Sequence, residues 1–404
     1  MSEKNNSGRS TSVLYLFALG MLCAFGPLCT DIYLPGLPQI AADFGIDASA
    51  AQLSLTASFL GLAFGQVFIG PLSDAIGRKI PLMLSLVVFA LTSALCALSE
   101  SIWMLVVWRF FQGVAGSGGL VLSRSIACDC FQGLELTRFM SLLMTINSVA
   151  PILGPIIGSL IVTFASWQMT FWFLTVWGAL LVVLCLIKVP ESLEAAKRES
   201  KILLSFVSMF RELLNLRFLL YVVSLSFIMG GFFSYLAASP FVFQIIYGFS
   251  PLQYSVTFGL IAFSISISAL LGARLAARMG EYRTISLAYI LMFFSGTDVL
   301  CCALVEAGSF VPILLGLVVF CSMMGVCNTV GFGLVMASRK GGAGAASGIL
   351  GVMNFVFGAV ISPLVGLMGD HSMIPFGISL FLSSILAYTT FVLATKCKRR
   401  GYAQ

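Results

Sequence analysis

The sequence predicts an all-α membrane protein of twelve transmembrane helices in two pseudo-symmetric six-helix bundles. Three observations predict it. First, 59% of the 404 residues are hydrophobic and only 9% are charged, whereas a soluble domain carries about 25% charged residues. No core of this size absorbs so much apolar sequence, so lipid must be the solvent. Second, apolar runs recur near 13–34, 50–70, 80–98, 103–124, 138–162, 167–188, 217–239, 254–273, 284–305, 309–333, 346–368 and 373–395. Each matches the roughly 20 residues that one spanning helix needs. They are too long and too uniformly apolar for barrel strands. Third, of the 22 Lys and Arg, all but Arg109 fall in alternate connections or the two tails.

The runs can be taken in order. Lys4 and Arg9 precede the first, which is too long for a cleavable signal and is expected to stay as helix one. Pro27 loosens it, and Pro35 and Pro38 mark its outer exit. Run two ends in the short basic turn Gly77-Arg78-Lys79, and run four ends near Arg124 and Asp129. Run five follows Arg138 and contains Pro151, Gly154, Pro155 and Gly158. After run six the chain turns charged, "ESLEAAKRESK", as a cytoplasmic linker would. This divides the chain into an N-terminal bundle (1–189), a linker (190–215) and a C-terminal bundle (216–404). In the second half, Arg274, Arg278 and Arg283 follow run eight, and Arg339 and Lys340 follow run ten. The opposite connections hold acids only: Asp43, Asp47, Glu100, Glu306 and Asp370. The positive-inside rule then puts both termini in the cytoplasm. A faint repeat supports duplication: "GPIIG" (Gly154–Gly158) in run five answers "SPLVG" (Ser362–Gly366) in run eleven. Likewise "GPLSDAIGRK" after run two answers "GARLAARMGEYR" after run eight.

Other functions find little support. The net charge of +6 follows from membrane topology and implies no nucleic-acid partner. Most of the eleven cysteines sit in apolar runs, where Cys packs as a small hydrophobe. Cys128-Asp129-Cys130 lacks a second ligand pair or a nearby histidine, so no metal is expected. The single histidine, His371, lies in an outer turn. No nucleotide-binding or hydrolase motif appears, so neither a cofactor nor an enzymatic activity is predicted. "GGAGAASG" (Gly341–Gly348) follows no strand, and the sequon at Asn5 lies on the cytoplasmic side.

"GPLSDAIGRK" carries chemistry. A tight inner turn accounts for Gly77, and topology for Arg78 and Lys79, but neither accounts for Asp74. An acid beside a helix end wants a cation or a helix N-terminus. Asp129 similarly wants Arg78 or Arg138. The expectation is a cytoplasmic charge cluster that latches the two halves in one state.

With Gly70, Asp74, Gly77, Arg78 and Lys79 in this spacing, the chain resembles the major facilitator superfamily, over essentially residues 13–395. "APILGPIIG" (Ala150–Gly158) resembles the antiporter motif of its drug/proton exporters. "TDIYLP" and "WRFFQGVAGSGG" are similar to the bicyclomycin and chloramphenicol exporters of Bcr/CflA type. One departure stands out: that subfamily usually has an Arg before the acid after span four, where this chain has Ser125-Ile126-Ala127-Cys128. The resemblance implies two bundles around a midplane cavity, lined in part by helices one and four.

Three intramembrane charges remain, Asp31, Arg109 and Asp298. Asp31 falls about 6 Å inside the outer end of run one, and Arg109 about 9 Å inside that of run four, at 1.5 Å per residue. Small or polar residues share their faces, which suits a cavity. A charge at mid-membrane costs about 2.5–3.5 kcal/mol on insertion scales, so each needs a reason. Asp31 is an interfacial acid, a structural counter-ion for Arg109, or a protonation site whose proton is held by desolvation and released when Arg109 approaches. The third alternative supplies a mechanism in which a cationic or polar substrate competes for the carboxylate. Asp298, in run nine, suits helix pairing better. Cavity candidates are Gln112, Asn147, Phe232, Tyr235, Asn328 and Asn354, with Phe233 as further aromatic surface.

The expected function is a proton-coupled multidrug or antibiotic antiporter. It would work as a monomer by alternating access in the bacterial inner membrane, with protons and a small molecule as partners. An exporter or symporter of a native metabolite such as an amino acid, peptide or sugar-like compound is the alternative; a non-transporting membrane sensor is a third.

Overall fold

A computed structural model describes residues 13–194, 198, 212–305, 309–340, 342–369 and 372–400. Lys4, Arg9, the Asn5 sequon, Glu306, Gly341, Asp370, His371 and most of the expected linker lie outside the described residues. The first half comprises α1 (Val13–Cys23), α2 (Phe25–Asp31), α3 (Leu37–Phe44), α4 (Ala48–Ile76), α5 (Lys79–Ala97), α6 (Ile102–Cys130), α7 (Gly133–Phe164) and α8 (Gln168–Lys188). The second comprises α9 (Leu216–Phe241), α10 (Pro251–Met279), α11 (Glu281–Leu304), α12 (Phe310–Ser338), α13 (Ala343–Ile361) and α14 (Ile374–Arg400). Among the described residues, eleven helical spans are long and apolar enough to cross a membrane; Tyr15–Cys23 and Phe25–Phe44, bent by 44°, make the twelfth when counted as one broken span.

That bend has a local cause. Pro27 has no N–H to give the carbonyl of Cys23, and its ring crowds that carbonyl, so the helix breaks one turn earlier at Ala24. The expected exit at Pro35 and Pro38 is corrected. Leu34–Gly36 forms a 3-10 turn and α3 carries on to Phe44, with each proline in the first turn of its element, where a missing N–H is harmless. Asp31 therefore lies roughly 20 Å of helical path before Phe44, well away from a helix end exposed to water. It is 4% exposed.

The repeat is visible in the backbone. Gly77 (φ 100°, ψ 164°) ends α4 and Gly280 (φ 85°, ψ 152°) ends α10, both in a region that side chains rarely adopt. Elsewhere the helices start conventionally: Ser101 and Asn215 accept from the third N–H beyond them, and Ser250 forms a capping box with Gln253.

Small residues set a close crossing of α4 and α6 in the first bundle. A Cβ on Gly61 or Gly113 would run into the facing backbone of α6 or α4, at Phe110 and Ser58 respectively. Without a hydrophobic driving force between helices in lipid, such close approach supplies the packing energy. Between bundles, α7 packs along α10 and α4 along α13. Helices two and five of one half thus meet helices eight and eleven of the other, as a pseudo-twofold requires.

Candidate functional site

The two bundles are joined at one end. Ser49 Oγ donates to the Pro363 carbonyl (3.1 Å), Gln52 Nε2 to Ala237 (3.0 Å), Gln244 Nε2 to Pro35 (3.1 Å) and Ser255 Oγ to Pro155 (2.7 Å). All four lie toward the end opposite Arg78, Arg124, Arg278 and Arg339, hereafter the basic end. A cavity of about 190 Å³ opens between α7, α9, α10 and α12, on the basic side of those contacts. Its walls include Asn147, Ser148, Pro151, Phe232, Tyr235, Phe258 and Met324. None of its described lining residues is charged.

Three of the six cavity candidates, Asn147, Phe232 and Tyr235, line this pocket. Gln112 does not, which corrects the expectation. It is buried inside the first bundle, donating to Ser93 Oγ (2.7 Å) and accepting from Arg109 (2.5 Å). Asn328 stands one turn behind the wall, its amide against the Met324 sulfur at 3.1 Å. Asn354 accepts from Ser226 Oγ (3.1 Å), away from the lining. Phe233 packs on Phe59 (centroids 4.3 Å apart), between the bundles. Sequence reasoning missed Phe258 and Met324, whose position on the pocket depends on helix rotation and leaves no local signal.

Arg109 is fully buried, 0% exposed, inside the first bundle. Its Nη1 donates to the Cys29 carbonyl (3.0 Å), and its guanidinium lies 4.2 Å from the centre of the Tyr33 ring and 5.6 Å from that of Phe171. Such ring faces attract a desolvated cation by about 2 kcal/mol. Its Nε and Nη2 have no hydrogen-bond partner. Asp31 accepts instead from Thr30 Oγ1 at 2.9 Å, and no ion pair joins it to Arg109. The two charges flank Cys29 without pairing. Asp31 is not among the pocket's lining residues; its Cβ packs on α7 at Gly154, where an added Cβ would lie 3.2 Å from it. One turn on, Gly158 admits the Ile32 carbonyl so closely that any side chain would overlap it. Pro155, between these glycines, offers its carbonyl to Ser255 of the second bundle. Pro151 reaches the pocket. One helix therefore touches the buried acid, the pocket and the other bundle.

At the basic end, Arg78 bonds Asp74 (2.5 Å), Ser73 Oγ (2.6 Å) and Asp129 (2.9 Å). Gly70 supplies the carbonyl that fixes Ser73 (2.7 Å), and Lys79 Nζ reaches the Leu186 carbonyl at 3.5 Å. Glu191 was missed in the sequence. Its carboxylate accepts from the backbone N–H of Arg78 (2.8 Å), Lys79 (3.2 Å) and Leu193 (3.0 Å), an anion at the N-terminus of α5. Burial alone would lift its pKa, but these N–H groups and Arg198 outweigh burial and hold it below the usual carboxylate range. The latch expectation needs correction: among the described residues, the bonded partners of this cluster lie in the first half and at the start of the linker, and none lies in the second half. Arg138 is exposed and makes no bond to Asp129. Asp298 is exposed on α11, beside Gly316 of α12 and away from the pocket.

Residues 16–363 match the family model of the Major Facilitator Superfamily. The chain belongs to that superfamily. It is a membrane transporter of small molecules and not an enzyme. It is similar to the uncharacterized MFS-type transporter YdgK of Bacillus subtilis, 38% identical over 97% of this chain and 98% of the relative. It is also similar to a bicyclomycin resistance protein homolog of Haemophilus influenzae, 30% identical over 98% of this chain and the whole of the relative. Among solved structures it resembles a bacterial homolog of the human lysosomal transporter Spinster, with a TM-score of 0.76 at 12% identity, covering 94% of this chain and 96% of that one. That likeness speaks for the fold alone.

Proposed function

We propose that this transporter is a proton-coupled exporter of small, moderately hydrophobic compounds, antibiotics among them, in a bacterial cytoplasmic membrane with both termini inside. The observation that carries the reading is the sharing of α7. Its glycine face seats the buried Asp31, while Pro155 on the same helix holds the contact to α10.

Physically, a carboxylate taken out of water at Asp31 is disfavoured unless it is neutral or paired. Protonation from the outer side makes its seat against Gly154 favourable and stabilises the state in which the bundles meet at the outer end. Loss of the proton to the cytoplasm leaves an anion there. The buried cation that answers it is Arg109, whose Nε and Nη2 lack partners. Movement of α2 toward that guanidinium would withdraw support from α7 and loosen the α7–α10 contact. Substrate and proton then occupy different places, coupled through one helix, in place of direct competition for the carboxylate. The name of the Haemophilus influenzae relative supports drug export. The orientation rests on the basic end facing the cytoplasm.

The test is a susceptibility panel in a pump-deficient bacterial host. Expression should raise the inhibitory concentration of several uncharged antibiotics at least about fourfold. No change for any compound, with the protein present in the membrane, would reject drug export.

A further inference from the structure

Resting on the transport reading, the geometry points to the class of cargo: we propose that the pocket takes an uncharged molecule of a single flat ring bearing a carboxamide-like edge, and that it rejects organic cations. Two polar atoms of the wall, Asn147 Oδ1 and the Tyr235 hydroxyl, are buried and have no hydrogen-bond partner. Tyr235 itself is 1% exposed. Buried polar atoms are nearly always satisfied, and leaving one unpaired is costly. Two such atoms on one small cavity are an unfilled donor–acceptor set.

Their chemistry selects the partner. The Asn147 oxygen accepts only, and the Tyr235 hydroxyl both donates and accepts. A primary carboxamide answers both, giving an N–H to Asn147 and a carbonyl to Tyr235. It also answers the reversed amide of Asn147, so the match does not depend on which way that amide is turned.

The rest of the wall selects the body. Tyr235 and Phe258 are stacked, with centroids 5.5 Å apart and planes 14° apart, and Phe232 lies 6.1 Å from Tyr235. Ala262, Ile265 and the Met324 thioether add apolar wall, with Ser148 and Ser266 beside them. A cavity of about 150 Å³ holds benzene, so 190 Å³ holds one ring and a small polar group. A cation entering it would touch no carboxylate, because none of the described lining residues is acidic; Asp31 lies close enough to act on Tyr235 through space but forms no part of the wall. An unpaired charge there is strongly disfavoured.

Purified full-length protein in nanodiscs is titrated by saturation-transfer NMR with benzamide, benzoate, toluene and benzyltrimethylammonium. Dissociation constants near millimolar are expected for ligands this small. Benzamide should bind at least about tenfold more tightly than benzyltrimethylammonium or benzoate. Tyr235→Phe and Asn147→Leu should each weaken benzamide about fivefold, the net worth of one hydrogen bond, and leave toluene unchanged. Equal binding of the cation or of benzoate, indifference of benzamide to both substitutions, or no binding by any of the four would overturn the proposal. Should Asn147→Leu not fold, the wild-type ranking and Tyr235→Phe decide. No gradient is present in this assay, so its failure is separate from failure of proton-coupled export.

Discussion

Gly154 and Asp31 share a van der Waals boundary, 3.2 Å from the Asp31 Cβ to where a Cβ of Gly154 would stand. The acid is thus held by the absence of a side chain on α7. The next turn repeats the arrangement between Gly158 and the backbone of Ile32, so α2 lies flat on a glycine face. Pro155 of that helix is fixed to α10 through Ser255.

Adding a methyl group grades this contact. Gly158→Ala forces its Cβ onto the Ile32 carbonyl, a backbone atom that cannot swing aside, and overpacking of this kind costs about 1–3 kcal/mol. The variant should melt several degrees lower than wild type and lose transport. Gly154→Ala meets a side-chain atom at a longer distance and should stay folded with slowed turnover. Wild-type melting and transport in Gly158→Ala would disprove the seating of α2.

Arg109 offers a separation of stability from function. It is a buried cation without an acid, and replacing buried charge with a well-packed apolar side chain is often neutral or stabilising by about 1–4 kcal/mol. Arg109→Met should melt at or above the wild-type temperature while uphill transport is lost. A large drop in melting temperature would show the guanidinium to be structural, and retained transport would remove it from the cycle.

Much of this was legible in the sequence, and the reasons are physical. Span length and basic asymmetry report directly on lipid, so the number of spans and the bundle order follow from composition. Asp31, Arg78 and the glycines of α7 stand out because charge and Gly-Pro spacing are rare in apolar runs. What escaped depends on tertiary rotation. Gln112 shares an apparently polar stripe with Arg109, yet that stripe points into its own bundle toward Ser93. Pro35 and Pro38 signalled a helix end, but at the first turn of a new element a proline continues the path. Glu191 looked like linker charge because two of its partners, the backbone N–H groups of Arg78 and Lys79, are more than 100 residues away in sequence.

Glu191 makes stability depend on pH with a definite sign. Its folded-state pKa is lowered below the ordinary 4.5. The stabilisation is therefore complete above that value and is lost as pH falls through the folded one. Wild-type melting temperature should drop as pH falls below about 4.5, and Glu191→Gln should show a shallower drop. Parallel curves for the two proteins would deny the carboxylate its place at the start of α5.

The central claim is that Asp31 carries the coupled proton. Inside-out vesicles with an acidified lumen and a pH-sensitive dye measure it most directly. On addition of a transported compound, wild-type protein should release lumenal protons. Asp31→Asn should insert and bind that compound yet give no dye response, because it has no proton to exchange. Substrate-dependent proton release by Asp31→Asn at the wild-type rate would contradict the account.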